Sequence, residues 1–383
     1  MEPSADRVGV QYPTDRVNLY GLEPDEIAAL PCLSGQPDYR GKQIARWIYN
    51  RGVLDLADMS DLSKEIRARL TGSCSIRRVR PAAATEAADG SATKFLFRLD
   101  GEGDGVQADR GTRPVEAVWI RDDRRDTLCI SSQAGCAYGC TFCATGAMKS
   151  GRDLTTGEIV GQVAVLREEM KRRGSFEVHN LVFMGMGEPL ANFDQVARAL
   201  RILCGEPGFG LAARRITIST VGLVPEIRRL AQEPFAVRLA FSLNATTDEV
   251  RSRIMPINRK YPFKAVFLAL REYQRIKDSQ VTIEYVLLKG INDSRDDARR
   301  LADYARSLQC KVNLIAYNPH PYAPFEPSVN AHIEDFRSWM VPAAMTTVTV
   351  RWSKGRDIQA ACGQLSTLHE PVAGAGSIES TES

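Results

Sequence analysis

The chain has 383 residues, 44% of them hydrophobic and 25% charged, with a net charge of +3. That balance excludes a disordered or fibrous protein and leaves room for a large core and about two domains. No run approaches the roughly 18 uninterrupted apolar residues of a membrane span, and the opening MEPSADRVGVQYPTDR is polar and acidic without an apolar leader stretch, so a cytoplasmic protein with no membrane partner is expected.

Residues 15–75 read as helical: GLEPDEIAAL, RGKQIARWIYNRG and LADMSDLSKEIRARL space apolar residues three and four apart, with turn residues between them. From Tyr39 to Arg80, ten Lys and Arg stand against four Asp and Glu, with Trp47 and Tyr49 interleaved. Such a segment suits contact with a phosphate backbone and stacking on bases. On charge alone it suits better a solvated helix face with Trp47 and Ile48 in a small core. Residues 1–75 are read as a small helical domain.

Residues 76–121 form a strand-rich connector in which ATKFLFRLDG and VEAVWIR alternate like half-buried strands around the Gly- and Asp-rich GEGDGVQADRGTR. Over 122–368, strand-like TLCISS, NLVFMGM, RRITIST, VRLAFSL, VTIEYVLL and KVNLIAY alternate with amphipathic helical stretches, and a seventh strand, TTVTVRW, follows a helix near HIEDFRSWM. This alternation predicts an α/β fold of parallel strands with crossover helices. Six such strands are too few for a closed eight-stranded barrel. The Ser-, Gly- and Glu-rich tail, 369–383, is expected to be disordered. Polar residues cluster where strands end: GMGEP, Ser219, Ser242 to Asn244, and Asn318.

Nine cysteines is an odd count for a disulfide framework, and in a reducing compartment clustered thiols are more often metal ligands or catalytic groups. Four fall in LCISSQAGCAYGCTFCATG, residues 128–146. Cys136, Cys140 and Cys143 have the spacing C-x3-C-x2-C in the loop after the first strand of the α/β region. A short loop can wrap three thiolates around one inorganic cluster and leave one iron of a four-iron cube open. A zinc site would want a fourth Cys or His, which the neighbouring residues do not offer.

C-x3-C-x2-C with an aromatic before the last Cys, after the first strand of a partial barrel, resembles the radical S-adenosylmethionine superfamily. Together with TGEIVGQV, VFMGMGEPL, ITISTVG, RSRIMPINRKYPF, AYNPHPYAPF and GRDIQAACGQL, it resembles the RlmN/Cfr family of RNA methyltransferases over residues 15–368. The resemblance implies a partial (β/α)6 TIM-type barrel behind a helical RNA-binding domain. It implies a [4Fe-4S] cluster on Cys136, Cys140 and Cys143, and two S-adenosylmethionine molecules per turnover. One methylates the Cys362 thiolate; the other yields a radical that abstracts hydrogen from the new methyl group, which then adds to adenine. Cys129 resolves the resulting crosslink through a transient disulfide, and Glu116 takes the ring proton.

The family pattern places Gly187 and Glu188 beside the methionine end of S-adenosylmethionine, with Ser219, Ser242, Leu243, Asn244 and Asn318 around the rest. It usually has His in place of Asn244, and Asn still offers a donor and an acceptor. Cys32, Cys74, Cys204 and Cys310 match no motif and are read as packing residues. The implied partners are 23S rRNA, with tRNA also allowed, and a flavodoxin or ferredoxin as electron donor, for an enzyme expected to be a monomer. The target implied by the housekeeping branch is C2 of adenine. The sister branch methylates C8 with the same cysteines, and a cluster-bearing RNA-binding protein without catalysis would lack Cys129, Cys362 and Glu116.

Overall fold

The computed structural model describes residues 16–99, 114–122, 125–149, 151–175, 177–344 and 346–366. The 101–113 loop and the 369–383 tail lie outside the described residues. Ten strands form the main sheet: β1 Arg80–Glu86, β2 Ala92–Arg98, β3 Val115–Ile120, β4 Thr127–Cys129, β5 Asn180–Phe183, β6 Ile216–Thr220, β7 Arg238–Ser242, β8 Thr282–Leu287, β9 Lys311–Ala316 and β10 Val348–Arg351. They lie side by side in chain order. β4 to β10 run parallel, as crossover helices require, while β1 to β4 pair antiparallel.

Each predicted strand from TLCISS to TTVTVRW is present, and the helices between them follow from their apolar spacing. Helix Phe193–Cys204 turns Val196, Ala197, Leu200 and Leu203 onto the sheet. Helix Thr156–Arg172 starts at a capping box in which Thr155 and Glu158 satisfy each other's backbone N–H. The 76–121 segment is less separate than a connector: β3 pairs with β4 at Val118↔Cys129 and carries the barrel sheet outward through β2 and β1. Strand β1, RPAAATE, escaped the sequence pattern because it is mostly exposed and does not alternate.

The N-terminal segment is helical as expected, at Pro24–Ala28, Tyr39–Ala45 and Lys64–Ser73. It is closed by a parallel pair the periodicity did not show, Val17–Asn18 against Cys74–Ser75. It meets the barrel through backbone contact: a Cβ on Gly21, whose φ is +102°, would lie 2.5 Å from the Gly157 nitrogen. Tyr49 packs against Tyr20 and Phe209 at this junction, with ring centroids 5.5 and 6.0 Å away. The aromatics expected to stack on bases are therefore core residues: Trp47 and Tyr49 are buried, Trp47 Nε1 donates to Asp61 at 2.5 Å, and Tyr49 Oη donates to Leu22 O at 2.8 Å. Several of the segment's cations are also engaged, Arg46 with Glu206 and Arg78 with Glu168. No helix among the described residues is long and apolar enough to cross a membrane.

Candidate active site

Parallel strands place their C-terminal ends on one rim, and the chain uses that rim for a cavity of about 1000 Å³ counting its open mouth. Cys136, Cys140 and Cys143 line one wall; Gly187, Glu188, Ser219, Ser242 and Asn244 line the rest, together with Cys362. The cluster loop is held from three sides. Gln133–Gly135 pairs with Gly151–Asp153 to bracket it, Thr141 N donates to Ile254 O at 2.9 Å, and Ala144 N donates to Gly363 O at 2.8 Å.

Burial pushes the Cys136 thiol up to about 12 and raises Cys140 and Cys143 as well. Thiols so placed ionise only when a cation compensates them. Among the described residues, no three His, Cys, Asp or Glu converge on a single metal ion. Three thiols lining one cavity are the donor number of a four-iron cube with one open iron, whereas a tetrahedral zinc would want a fourth ligand.

Opposite the cysteines, GMGEP makes a tight cradle. Gly187 has φ +97°, and a Cβ there would lie 2.5 Å from the Gln133 side chain. Glu188 is buried, and its carboxylate accepts from Leu190 N at 3.2 Å and Val221 N at 2.9 Å. Burial nevertheless raises its pKa to about 7. Asn244 holds φ +55°, a left-handed conformation that Asn tolerates better than most residues. Its Oδ1 accepts from Val286 N at 2.9 Å. The hydroxyls of Ser219 and Ser242 are 3.4 Å apart on neighbouring strands.

The two outlying cysteines arrive from opposite ends of the barrel domain. Cys129 ends β4, buried, and Cys362 sits on a C-terminal loop stapled to the cluster loop. Besides the Ala144 bond, Thr145 Oγ1 donates to Leu365 O at 2.6 Å, and Asn318 Nδ2 donates to Cys362 O at 3.1 Å. Both thiols are free, and burial, reinforced by the neighbouring Cys362, pushes Cys129 up to about 12. Arg351 at the end of β10 opposes this; its own pKa is raised by Cys362 first, then by Glu284 and Cys129. It lies 3.6 Å from the Glu284 carboxylate.

Three expected residues stand elsewhere. Leu243 is buried without lining the cavity, its N–H donating to Glu284 O at 3.1 Å. Asn318 braces the Cys362 loop and Ser353, and its buried Oδ1 has no partner among the described residues. Glu116, on β3, is ion-paired with Lys94 at 2.9 Å and accepts from Ser366 N at 3.0 Å. It therefore clasps the end of the Cys362 loop from behind the cavity wall. Pattern reading missed Glu284 and Arg351. A charge inside the apolar run VTIEYVLL and a cation ending TTVTVRW were the available signals.

Residues 130–302 match the family model of the radical SAM superfamily, and residues 17–76 match that of the ribosomal RNA large subunit methyltransferase N-terminal domain. The dual-specificity RNA methyltransferase RlmN of Geobacter sulfurreducens is 45% identical over 91% of this chain and 92% of its own. The chain belongs to the RlmN family of radical SAM methyltransferases. Another RlmN, from Geotalea uraniireducens, is also 45% identical, over 92% of this chain and 97% of that one. The crystal structure of a radical SAM methyltransferase from Sphaerobacter thermophilus superposes with a TM-score of 0.83 at 42% identity, covering 92% of this chain and 99% of that one. RlmN membership brings with it a four-iron cluster and S-adenosylmethionine, and the donor set fits both. Three thiols line the cavity, and so does Glu284, whose buried Oε2 has no hydrogen-bond partner among the described residues and only the Arg351 guanidinium at 3.6 Å.

Proposed function

We propose that this chain is a dual-specificity RNA methyltransferase that methylates C2 of an adenine in 23S rRNA and of an adenine in tRNA. The observation that carries the reading is the junction of the two loops: Cys362 lines the same cavity as Cys136, Cys140 and Cys143, fixed there by the Ala144 to Gly363 hydrogen bond of 2.8 Å. A methyl carrier and a radical source must share one water-poor space, because a carbon radical formed apart from its target would be quenched. The RlmN names of its relatives favour this reading over C8 methylation.

With the cluster and S-adenosylmethionine bound, the site supplies an electrophilic methyl group in one half-reaction and a hydrogen-abstracting carbon radical in the other. The chain's own residues do the rest. Glu188 and the open backbone at Gly187 receive the methionine end, the carboxylate accepting from amino N–H groups. Ser219, Ser242 and Asn244 offer hydroxyl and amide groups to the remainder, and Asn318 Oδ1 offers an acceptor. Arg351 steadies the anionic form of Cys362, which a sulfur nucleophile requires. After the methyl carbon is joined to the base, Cys129 attacks the Cys362 sulfur. Cys129 gives up its thiol proton as the S–S bond forms. The electron pair of the breaking C–S bond passes to the base and its methylene carbon, which takes a proton to become the methyl group. Two electrons and two protons from a thiol reductant later restore both thiols.

Glu116 is the base in this scheme; its carboxylate borders the Cys362 loop, ion-paired with Lys94 at 2.9 Å, and it reaches the ring proton once Ser366 N releases it. Residues 1–75 form the RNA-binding module and 122–368 the catalytic barrel. A flavodoxin or ferredoxin serves as electron donor, and the enzyme acts as a cytoplasmic monomer. The test is an anaerobic reaction of the cluster-reconstituted protein with methyl-deuterated S-adenosylmethionine and, separately, an rRNA fragment and tRNA. Deuterated 2-methyladenosine from both is expected. 8-Methyladenosine would transfer the protein to the sister branch, and no methyladenosine from a fully loaded protein would refute catalysis.

A further inference from the structure

Among the described residues Arg251 is the one fully buried arginine, at 0% exposure on helix Asp248–Ile254. Its guanidinium donates to neutral oxygens alone: Leu243 O at 3.0 Å, Asn258 Oδ1 at 2.8 Å, Val221 O at 2.7 Å and Ser242 O at 3.2 Å. Among the described residues no carboxylate lies within 4 Å of it, whereas the exposed Arg46 and Arg152 and the half-buried Arg78 each have one. Asp248 reaches it only through the Asn258 amide, whose Nδ2 donates to Asp248 Oδ1 at 2.8 Å. A guanidinium cannot shed its proton to escape this cost, so a buried arginine calls for an anion.

The surroundings say where that anion sits. Two of the carbonyls that hold Arg251 belong to Val221 and Ser242, which line the cavity. The helix that carries it ends at Ile254, whose carbonyl accepts from Thr141 N, next to Cys140. The guanidinium also lies 5.1 Å from the centre of the Phe241 ring. Of the neighbouring groups, a Cys140 thiolate would favour its charge most, ahead of Asp248.

We infer that Arg251 is a positioning residue for the radical half-reaction, a fixed cation behind the cluster loop that balances the net negative charge of a cluster on three thiolates and eases its one-electron reduction. This rests on the cluster assignment proposed above. A cluster carried by three thiolates becomes more anionic by one charge when reduced. A cation held in low dielectric beside it therefore stabilises the reduced form more than the oxidised one. Four neutral acceptors hold that cation still without neutralising it.

The experiment is a dye-mediated redox titration with dithionite of the reconstituted full-length protein, followed by electron paramagnetic resonance, for wild type, Arg251→Lys, Arg251→Gln and Arg251→Met. Loss of the charge in the Gln and Met variants should weaken reduction about tenfold, a shift of ~59 mV to lower potential for a one-electron couple. The Lys variant, which keeps the charge and loses the fork of hydrogen bonds, should stay near wild type. A Lys variant that shifts as far as the neutral ones would make the role one of hydrogen bonding, and no shift in any variant would remove it altogether. If a neutral variant cannot be loaded, cluster-free protein still decides. Chemical denaturation should show Arg251→Met no less stable than Arg251→Lys, and a Met variant destabilised beyond the Lys variant overturns the inference. Wild type that binds no four-iron cluster would instead sink the cluster assignment, a distinct result.

Discussion

Glu188 offers a sharp test of the cavity. Its carboxyl is buried, and its pKa rises from 4.5 to about 7. A raised acid binds its proton in the folded state over a range where the unfolded chain has already released it. Cluster-free protein should therefore lose stability as pH climbs from about 4.5 to 7 and should lose no more from this group above that. At about 1.4 kcal/mol per tenfold change, the full loss is roughly 3 kcal/mol. With an unfolding entropy of about 2.1 cal/mol/K per residue over 383 residues, that is about 4 °C in Tm.

Glu188→Gln removes the titration but not the site. It costs a fixed amount at every pH, because both carboxylate oxygens accept backbone N–H groups, from Leu190 and Val221, and the amide nitrogen cannot. Melting curves of both proteins at half-unit steps from pH 4.5 to 8 would show this. The difference between them should slope below pH 7 and flatten above it. A difference constant across the whole range would mean that Glu188 is solvated and not buried in the cavity wall. In loaded protein the same variant should bind S-adenosylmethionine about tenfold or more weakly, the cost of losing a charge-assisted hydrogen bond.

Three further outcomes are expected. Cys129→Ser should accumulate a covalent protein–RNA adduct, visible on denaturing gels, that Cys362→Ala does not form although it loads its cluster fully; adduct in the Cys362 variant would move the methyl carrier elsewhere. Arg351→Gln should slow S-methylation of Cys362, read by peptide mass spectrometry, by on the order of tenfold, with Arg351→Lys recovering part of the rate. Asn318→Ala, which releases the 3.1 Å bond to Cys362 O, should speed alkylation of Cys362 by iodoacetamide at fixed pH while leaving iron content unchanged, and an unaltered rate would show that the loop is held by its other staples.

Local spacing was enough for the parts of this protein that one segment builds alone. C-x3-C-x2-C brings three thiols to one cavity because a short loop keeps them adjacent. Amphipathic runs between Val-, Ile- and Leu-rich strands give parallel crossovers, because a strand buried on both faces has no other way to be covered. Gly187 was reached only through the family pattern, and that it admits no Cβ is decided by how Gln133 packs against it. Register and topology decided the remainder. That Cys129 and Cys362 share an environment with Arg351 follows from β4 and the C-terminal loop meeting at the same rim. That Trp47 and Tyr49 are core rather than stacking surface follows from how the helical segment packs on Phe209. Neither is written in spacing, because each depends on contacts between residues far apart in the chain, where burial and charge are set by what the other strand or helix brings.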